Sequence, residues 1–382
     1  MLPFVLLWAH QQAHLDGTAA GLVFLAQAAG EFGAGLVIGS FADRLGRRRV
    51  LIGSTLGMAV GYGLLAVADA PVPAVGLFLV AGVFESAFHP VIGAMVGDLV
   101  PEQQLRSAFG WIRIAANTGR VVGPLLGSLL ILLALPAVFI AAGGLLAIAA
   151  AVLAVVLPRD VAVQAEDDEP EVPPGTLQAL LTDPALAMLV LAAGLLAIAF
   201  TWFEADGLVI LRRQTEVSSG TFGVLFAVAA VTVIVGQVPL SRWSAAAGVR
   251  TLVLAGGAIQ AAGLAMLILA PLGYPVLVAS VVTTAIGESL TAPAIAEVVT
   301  LRAGARRRAS YLAALSISQD LGSAVGPLSG LALVQAAGPA AAWAVGAVLS
   351  LGSGAALAAV IGRRQRTGRT GAAAPTSTAN EA

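Results

Sequence analysis

Six ionisable side chains of this chain stand in the middle of apolar stretches: Glu31, Glu85, Arg113, Arg120, Glu288 and Asp320. A charge at that depth is costly to hold, so such residues occur where they pair with one another or where they carry ions. At 1.5 Å per helical residue, Glu85 lies ~20 Å from Asp98, Glu288 ~20 Å from Leu301 and Arg120 ~20 Å from Arg106, the polar ends of their stretches. Glu31 and Asp320 are each twelve residues from such an end, at Asp43 and Arg308. Two chemistries fit. A carboxylate beside an arginine, for example Glu85 beside Arg120, forms a static pair that ties two helices together. A carboxylate without a cation can take up and release a proton.

Other chemistries find no support. Cys is absent, which removes disulfides, thiolate nucleophiles and Cys-based metal sites. His10 and His14 with Asp16 lack a further ligand for a metal. His89, one turn after Glu85, reads as a packed hydrogen-bonding residue that could tune a proton site. Gly33 to Gly39 mimics a dinucleotide loop but has no preceding strand, so helix packing is the better reading. Neither a nucleophile–base–acid arrangement nor a cofactor motif is present, and no nucleic-acid partner is expected.

The elements that hold these residues are helices of a membrane protein. Charged residues are 11% of the chain and apolar ones 58%, mean hydropathy is +0.93, and soluble domains carry roughly 25% charge. Apolar stretches long enough to cross a ~30 Å hydrocarbon core lie near 18–42, 50–68, 73–97, 107–132, 135–157, 182–209, 221–241, 251–270, 274–300, 310–334 and 339–361. All twenty basic residues are Arg. Sixteen of them fall at one set of connections, only Arg212 and Arg213 at the other, and Arg113 and Arg120 lie inside a stretch. The positive-inside rule then puts the basic loops and the C-terminus in the cytoplasm of a multi-pass cell-membrane protein.

Glu85-Ser86-Ala87-Phe88-His89-Pro90 recurs as Glu288-Ser289-Leu290-Thr291-Ala292-Pro293, a shift of 203 residues. At the same shift Gly119, Gly123, Pro124 and Gly127 recur as Gly322, Gly326, Pro327 and Gly330. The chain therefore reads as two homologous halves, 1–157 and 181–361, joined by an acidic linker at 158–180 and followed by a disordered tail at 362–382. The same shift sets Met1 opposite Glu204, well inside a helix, so the first helix is expected to be truncated at its N-terminus, by a miscalled start codon. Glu85 is the first choice for proton coupling and Glu288 its repeat-related second. The position equivalent to Arg120 is Ser323, so the two sites should titrate differently.

Gly39-Ser40-Phe41-Ala42-Asp43-Arg44-Leu45-Gly46-Arg47-Arg48-Arg49 resembles the signature loop of the major facilitator superfamily. Its second copy, Ser241 to Arg250, keeps a Gly and flanking Arg but has lost the Asp. Arg113, Asn117, Gly119, Gly123, Pro124 and Gly127 resemble the helix 5 pattern of that family's multidrug-type exporters, in which glycines every four residues make a smooth face for close helix packing. The Arg expected near Phe78 in helix 4 of many proton-coupled members is missing, so either Arg113 or Arg120 substitutes or the coupling differs. The resemblance implies an all-α membrane protein with twelve helices in two bundles of six. It implies alternating access, with Asp43 latching one side and the loop arginines binding carboxylates and lipid phosphates. The expected function is proton-coupled efflux of small molecules by a monomer, with protons and membrane lipids as its other partners. An uptake or facilitative carrier of the same fold is the alternative, and a membrane-embedded enzyme or scaffold a more distant one.

Overall fold

The computed structural model describes residues 5, 8–9, 11–13, 18–158, 175–204 and 207–371. Each expected apolar stretch is a helix: α1 Thr18–Leu45, α2 Arg47–Leu65, α3 Pro71–Glu85, α4 Phe88–Leu99, α5 Leu105–Leu130 and α6 Leu135–Val156 in the first half. The second half holds α7 Thr176–Thr182, α8 Pro184–Glu204, α9 Gly207–Arg212, α10 Ser219–Trp243, α11 Val249–Met266, α12 Tyr274–Arg302, α13 Arg308–Ala337 and α14 Pro339–Gly371. Proline, which needs no N–H partner in a first helical turn, opens α3, α6, α8, α12 and α14. Among the described residues eight stretches are long and apolar enough to cross a membrane by themselves. The remaining three of the eleven expected, now α2, α5 and α13, carry more polar and charged side chains and face the other half or the latch described below.

The repeat is not copied uniformly. Pro90 lacks the N–H that would bond the Ser86 carbonyl, and the chain breaks there between α3 and α4. Its mate Pro293 leaves the Ser289 carbonyl free in the same way, yet α12 runs on unbroken because Gln237 Nε2 of α10 donates to that carbonyl at 3.1 Å.

Two seams join the halves. In one, α13 packs on α1 and α4; in the other, α5 packs on α10 and α12. The 203-residue shift carries one seam onto the other. The largest hydrophobic cluster crosses between the halves at the Arg-rich end, through Ala42, Leu51, Val91, Ala94, Ala294, Ala309 and Leu312. Away from that end the core divides. One separate cluster, around Trp8, Phe78 and Phe139, belongs to the first half, and another, around Trp202, Phe203 and Trp343, to the second. The halves are thus fused at the Arg-rich end and apart at the other. His10, His14, Asp16 and the acidic stretch at 159–174 lie outside the described residues. The C-terminus departs from expectation: α14 continues past Gly362 to Gly371, because Arg and Gln are good helix formers.

Asp183 pins the second bundle at the Arg-rich end. It accepts the Ala185 and Leu186 amides at the start of α8, both at 3.1 Å, two Arg302 bonds at 2.7 and 2.6 Å, and the Tyr311 hydroxyl at 3.2 Å. Burial alone would push its carboxyl up, but the Arg302 guanidinium, the Leu186 amide and the Tyr311 hydroxyl outweigh it and hold it below the ordinary carboxylate range. A depressed folded value means stability that is present above the unfolded pKa of ~3.9 and lost as pH falls through the folded value. Asp183→Asn is therefore expected to cost about 2 kcal/mol at neutral pH. In thermal unfolding of the detergent-solubilised protein, the gap to wild type should stay constant down to about pH 5 and narrow as pH falls below ~3.9 toward the lower folded value; a gap that widens in acid, or none at pH 7, would contradict this role.

Candidate functional site

The latch starts from two glycines. A Cβ on Gly39 would stand 2.5 Å from the Ser310 Cα and 2.8 Å from the Ala309 oxygen, so only glycine lets α1 lie this close to the start of α13. Gly46, at φ +98°, turns the chain between α1 and α2 in a conformation other residues resist. Together they bring Asp43 onto the first turn of α13, whose amides have no intrahelical partner. Asp43 accepts the Ala309 and Ser310 amides at 3.2 and 3.0 Å and the Ser310 hydroxyl at 2.8 Å, capping a helix of the other half. Arg47 pairs with Asp43 at 2.7 Å and with Asp98 at 2.5 Å, Arg308 reaches Asp98 at 2.8 Å, and Arg47 also donates to the Ala305 carbonyl. Asp43 is wholly buried and Asp98 and Arg47 nearly so, which makes a neutral cluster of two carboxylates and two guanidiniums. Arg48 instead caps α6, donating to the Ala154 and Leu157 carbonyls at 2.6 and 3.1 Å. Arg44 is exposed.

The second seam has its own latch, with donor and acceptor exchanged. Where the degenerate loop copy lacks an Asp, its Ser244 and Ala247 carbonyls each accept from Arg106 at 3.2 Å, at the end of α10. Arg106 also pairs with Glu297 at 2.6 Å. The repeat-equivalent of Arg106 is Ala309, whose amide serves Asp43. One latch sets an anion against a helix N-terminus, the other a cation against a helix C-terminus, and both suit the helix dipole.

At mid-depth the two seams differ in charge. Along α5 and its neighbours, Arg113 pairs with Glu288 at 3.0 Å and Arg120 with Glu204 at 3.6 Å, both across the halves. Asn117 donates to the Arg113 carbonyl at 3.0 Å. The other seam gathers Glu31, Glu85 and Asp320 within electrostatic reach of one another. There Gln27 Nε2 donates to Glu85 at 2.7 Å, and among the described residues no ion pair joins these three acids to a cation. This corrects the expected Glu85–Arg120 pair. Helices adjacent in the chain need not be partners, and α5 turns its arginines to the other half. It is Glu288, not Glu85, that holds an arginine. The Arg113 and Arg120 positions recur as Ser316 and Ser323 on the acidic side. His89 is exposed, with its ring edge-on to Phe88 at 5.7 Å, rather than packed.

A cavity of about 440 Å³, the size of a small-molecule site, opens between the halves above the closed latches. Asn117, Arg120 and Pro124 line it from α5, and Phe200, Phe203, Glu204, Phe226 and Glu288 from the second half. Phe203, Phe222 and Phe226 form a ring cluster with centroids 5.1 to 6.0 Å apart.

The glycine faces also part company. Gly322 packs on Gly194, Ala197 and Ile198 of α8 and Gly326 on Thr201, while Gly330 beyond Pro327 is buried. The expected close packing at Gly119 and Gly123 is not seen. Among the described residues a Cβ at either would meet nothing within 4 Å, and only Gly127 of that row is buried.

Sequence reasoning passed over Asp98, Asp183, Glu204, Glu297, Arg302, Arg308 and Ser310. The seven-residue spacing of Arg106, Arg113 and Arg120 was the available signal for two of these, Glu297 and Glu204, which Arg106 and Arg120 meet.

The family model for the Major Facilitator Superfamily matches residues 1–206 and 207–380. The chain belongs to that superfamily, and is a multi-pass membrane protein of the transporter class. Among relatives, it is 31% identical over 116 residues to a Na(+), Li(+), K(+)/H(+) antiporter of Planococcus maritimus, covering 29% of this chain and 27% of the relative. It is 32% identical over 131 residues to the class C tetracycline resistance protein of Escherichia coli, covering 34% and 33%. These matches span about a third of the relatives' length or less. Its fold matches that of the transporter FucP, solved in an outward conformation, with a TM-score of 0.75 over 95% of this chain and 94% of the other at 16% identity.

Removing one partner of a buried charge cluster costs ~3–5 kcal/mol. Asp43→Asn is accordingly expected to part α1 from α13. Because the chain contains no Cys, a single thiol introduced at Ala42, which is fully buried in the cluster that joins the halves, reports this cleanly: its labelling rate by a maleimide should rise at least several-fold in the variant. An unchanged rate together with unchanged transport would remove Asp43 from gating.

Proposed function

We propose that this protein is a secondary active transporter that expels small amphipathic molecules by alternating access in exchange for protons. The observation that carries the reading is the division of charge between two repeat-related seams. One holds arginine–carboxylate pairs; the other holds Glu31, Glu85 and Asp320 with Gln27, and with Tyr62 within electrostatic reach, but no paired cation. Carboxylates at this depth without a cation are suited to taking up and releasing a proton, so this seam is the proposed proton path, with Glu85 at its centre. Glu288, tied to Arg113, serves the cavity instead, alongside Arg120, Asn117 and the phenylalanines. The sixteen-to-two distribution of arginines supports a cytoplasmic position for the latched end and the C-terminus, so the present state is closed to the cytoplasm. The named functions of the antiporter and tetracycline-resistance relatives support exchange and efflux.

A twelve-helix arrangement is part of the proposal. Gly119 and Gly123 form an uncovered face whose repeat mates are covered by α8, which supports a further helix of small residues against α5. The lipid phosphates of the cytoplasmic leaflet suit the exposed loop arginines, and both latches close within one chain, as a monomer requires.

Dye efflux from proteoliposomes with an imposed pH gradient tests this reading. Wild type should extrude a lipophilic dye and stop when a protonophore is added. Glu85→Gln should lose gradient-driven efflux by tenfold or more while binding the dye as before, since binding and coupling are separable. Gradient-driven efflux at wild-type rates in Glu85→Gln, Glu31→Gln and Asp320→Asn alike would dismiss the acidic seam as the proton path.

A further inference from the structure

On α5, Arg106, Arg113 and Arg120 are seven residues apart. Seven residues are close to two helical turns, so the three side chains share one face at intervals of about 10.5 Å. Each meets a carboxylate of the other half: Glu297 and Glu288 on α12, and Glu204 at the end of α8. The contacts loosen steadily away from the latched end. The distances are 2.6, 3.0 and 3.6 Å, and exposure rises from 16% through 17% to 65% for the arginines and from 11% through 23% to 37% for the acids. The packing of the same face agrees. A Cβ on Gly110 would meet Gln237 and Ser241 at 3.3 Å, whereas Arg120 and Pro124 border the cavity. The repeat-related positions on α13 are Ala309, Ser316 and Ser323, so the series belongs to this seam only.

We infer that these three pairs form a graded ladder that steers the exchange between the two end states, with Arg113–Glu288 as its fulcrum: Arg106 releases Glu297 as Arg120 closes on Glu204. The inference rests on the alternating-access reading. A helix is stiff, so rocking it about its middle contact lengthens one end as it shortens the other. A guanidinium offers five donors in a plane and keeps a bond through small rotations, which lets the middle pair persist while the outer ones trade. Two arginines on one helix then bias transport in opposite directions, an effect that general stabilisation does not produce.

The test uses spin-label pairs in the full-length chain, whose lack of Cys permits labelling at introduced sites alone. A pair at Gln103 and Ala245 reads the latched end, and one at Leu133 and Glu216 the open end. Arg106→Gln should raise the population with the longer 103–245 distance roughly fivefold or more and shorten 133–216. Arg120→Gln should move both in the opposite sense. The exchanged pair Arg106→Glu with Glu297→Arg should restore the wild-type distribution, and it serves as the reading if Arg106→Gln is unstable. Shifts in the same direction, or none, in a wild type whose two distances still change reciprocally between pH 5 and pH 8 would overturn the ladder alone. A wild type whose distances never change reciprocally would overturn the alternating-access reading, and the ladder with it.

Discussion

A guanidinium within a hydrocarbon layer cannot shed its charge, so it must be given an anion, a carbonyl or water. Most of what distinguishes this structure follows from how that need is met. Arg47 is nearly buried because Asp43 and Asp98 of its own half and the Ala305 carbonyl of the other surround it, so the meeting of the halves completes its shell. Arg106 and Arg113 likewise find partners only across the interface. The charges that would be expensive in either half alone become affordable between them. Closure at the Arg-rich end and the charge pattern of the seams are therefore one arrangement, not two. The apolar cluster that spans the halves at the same end adds burial without deciding register.

The internal repeat explains why there are two seams, and divergence explains why they differ. Both copies place a helix terminus of one half against a helix end of the other. One copy retains Asp43 and uses bare amides as donors; the other has lost its acid and recruits Arg106 to serve carbonyls. Deeper in the layer, arginines of α5 stand opposite Glu288 and Glu204, while α13 carries serines at the equivalent positions, of which Ser323 meets Thr201 of α8 at 3.5 Å. A duplicated scaffold has thereby acquired one side with arginine–carboxylate pairs and another with acids that no described cation pairs, without a change in backbone plan.

Much of this was legible in the sequence. Apolar length located the helices, since it acts within a single stretch. The latch at Asp43 was implied by the resemblance of Gly39 to Arg49 to the superfamily's signature loop. Partner choice was not legible. The sequence suggested Glu85 with Arg120 from chain adjacency, yet which helices face each other depends on the packing of two bundles, and α5 faces α12. Glu204 could not be assigned for the same reason, and Asp183 reads as an ordinary helix cap until Arg302 and Tyr311 arrive from distant segments. The open face at Gly119 and Gly123 was also beyond reach, because a small-residue row states what can approach but not what does.

The inter-half pairs share one chemical asymmetry. Every cation in them is arginine, which keeps its proton at any physiological pH, whereas every anion is a carboxylate that acid can neutralise. Such a pair can fail in only one way, leaving a bare positive charge. In the cluster of Asp43, Asp98, Arg47 and Arg308 that failure would strand two guanidiniums side by side in a nearly dry space. Acid on that face would then do more than remove attraction; it would replace it with mutual repulsion between the halves, whereas alkali, within the same range, would leave the closure untouched.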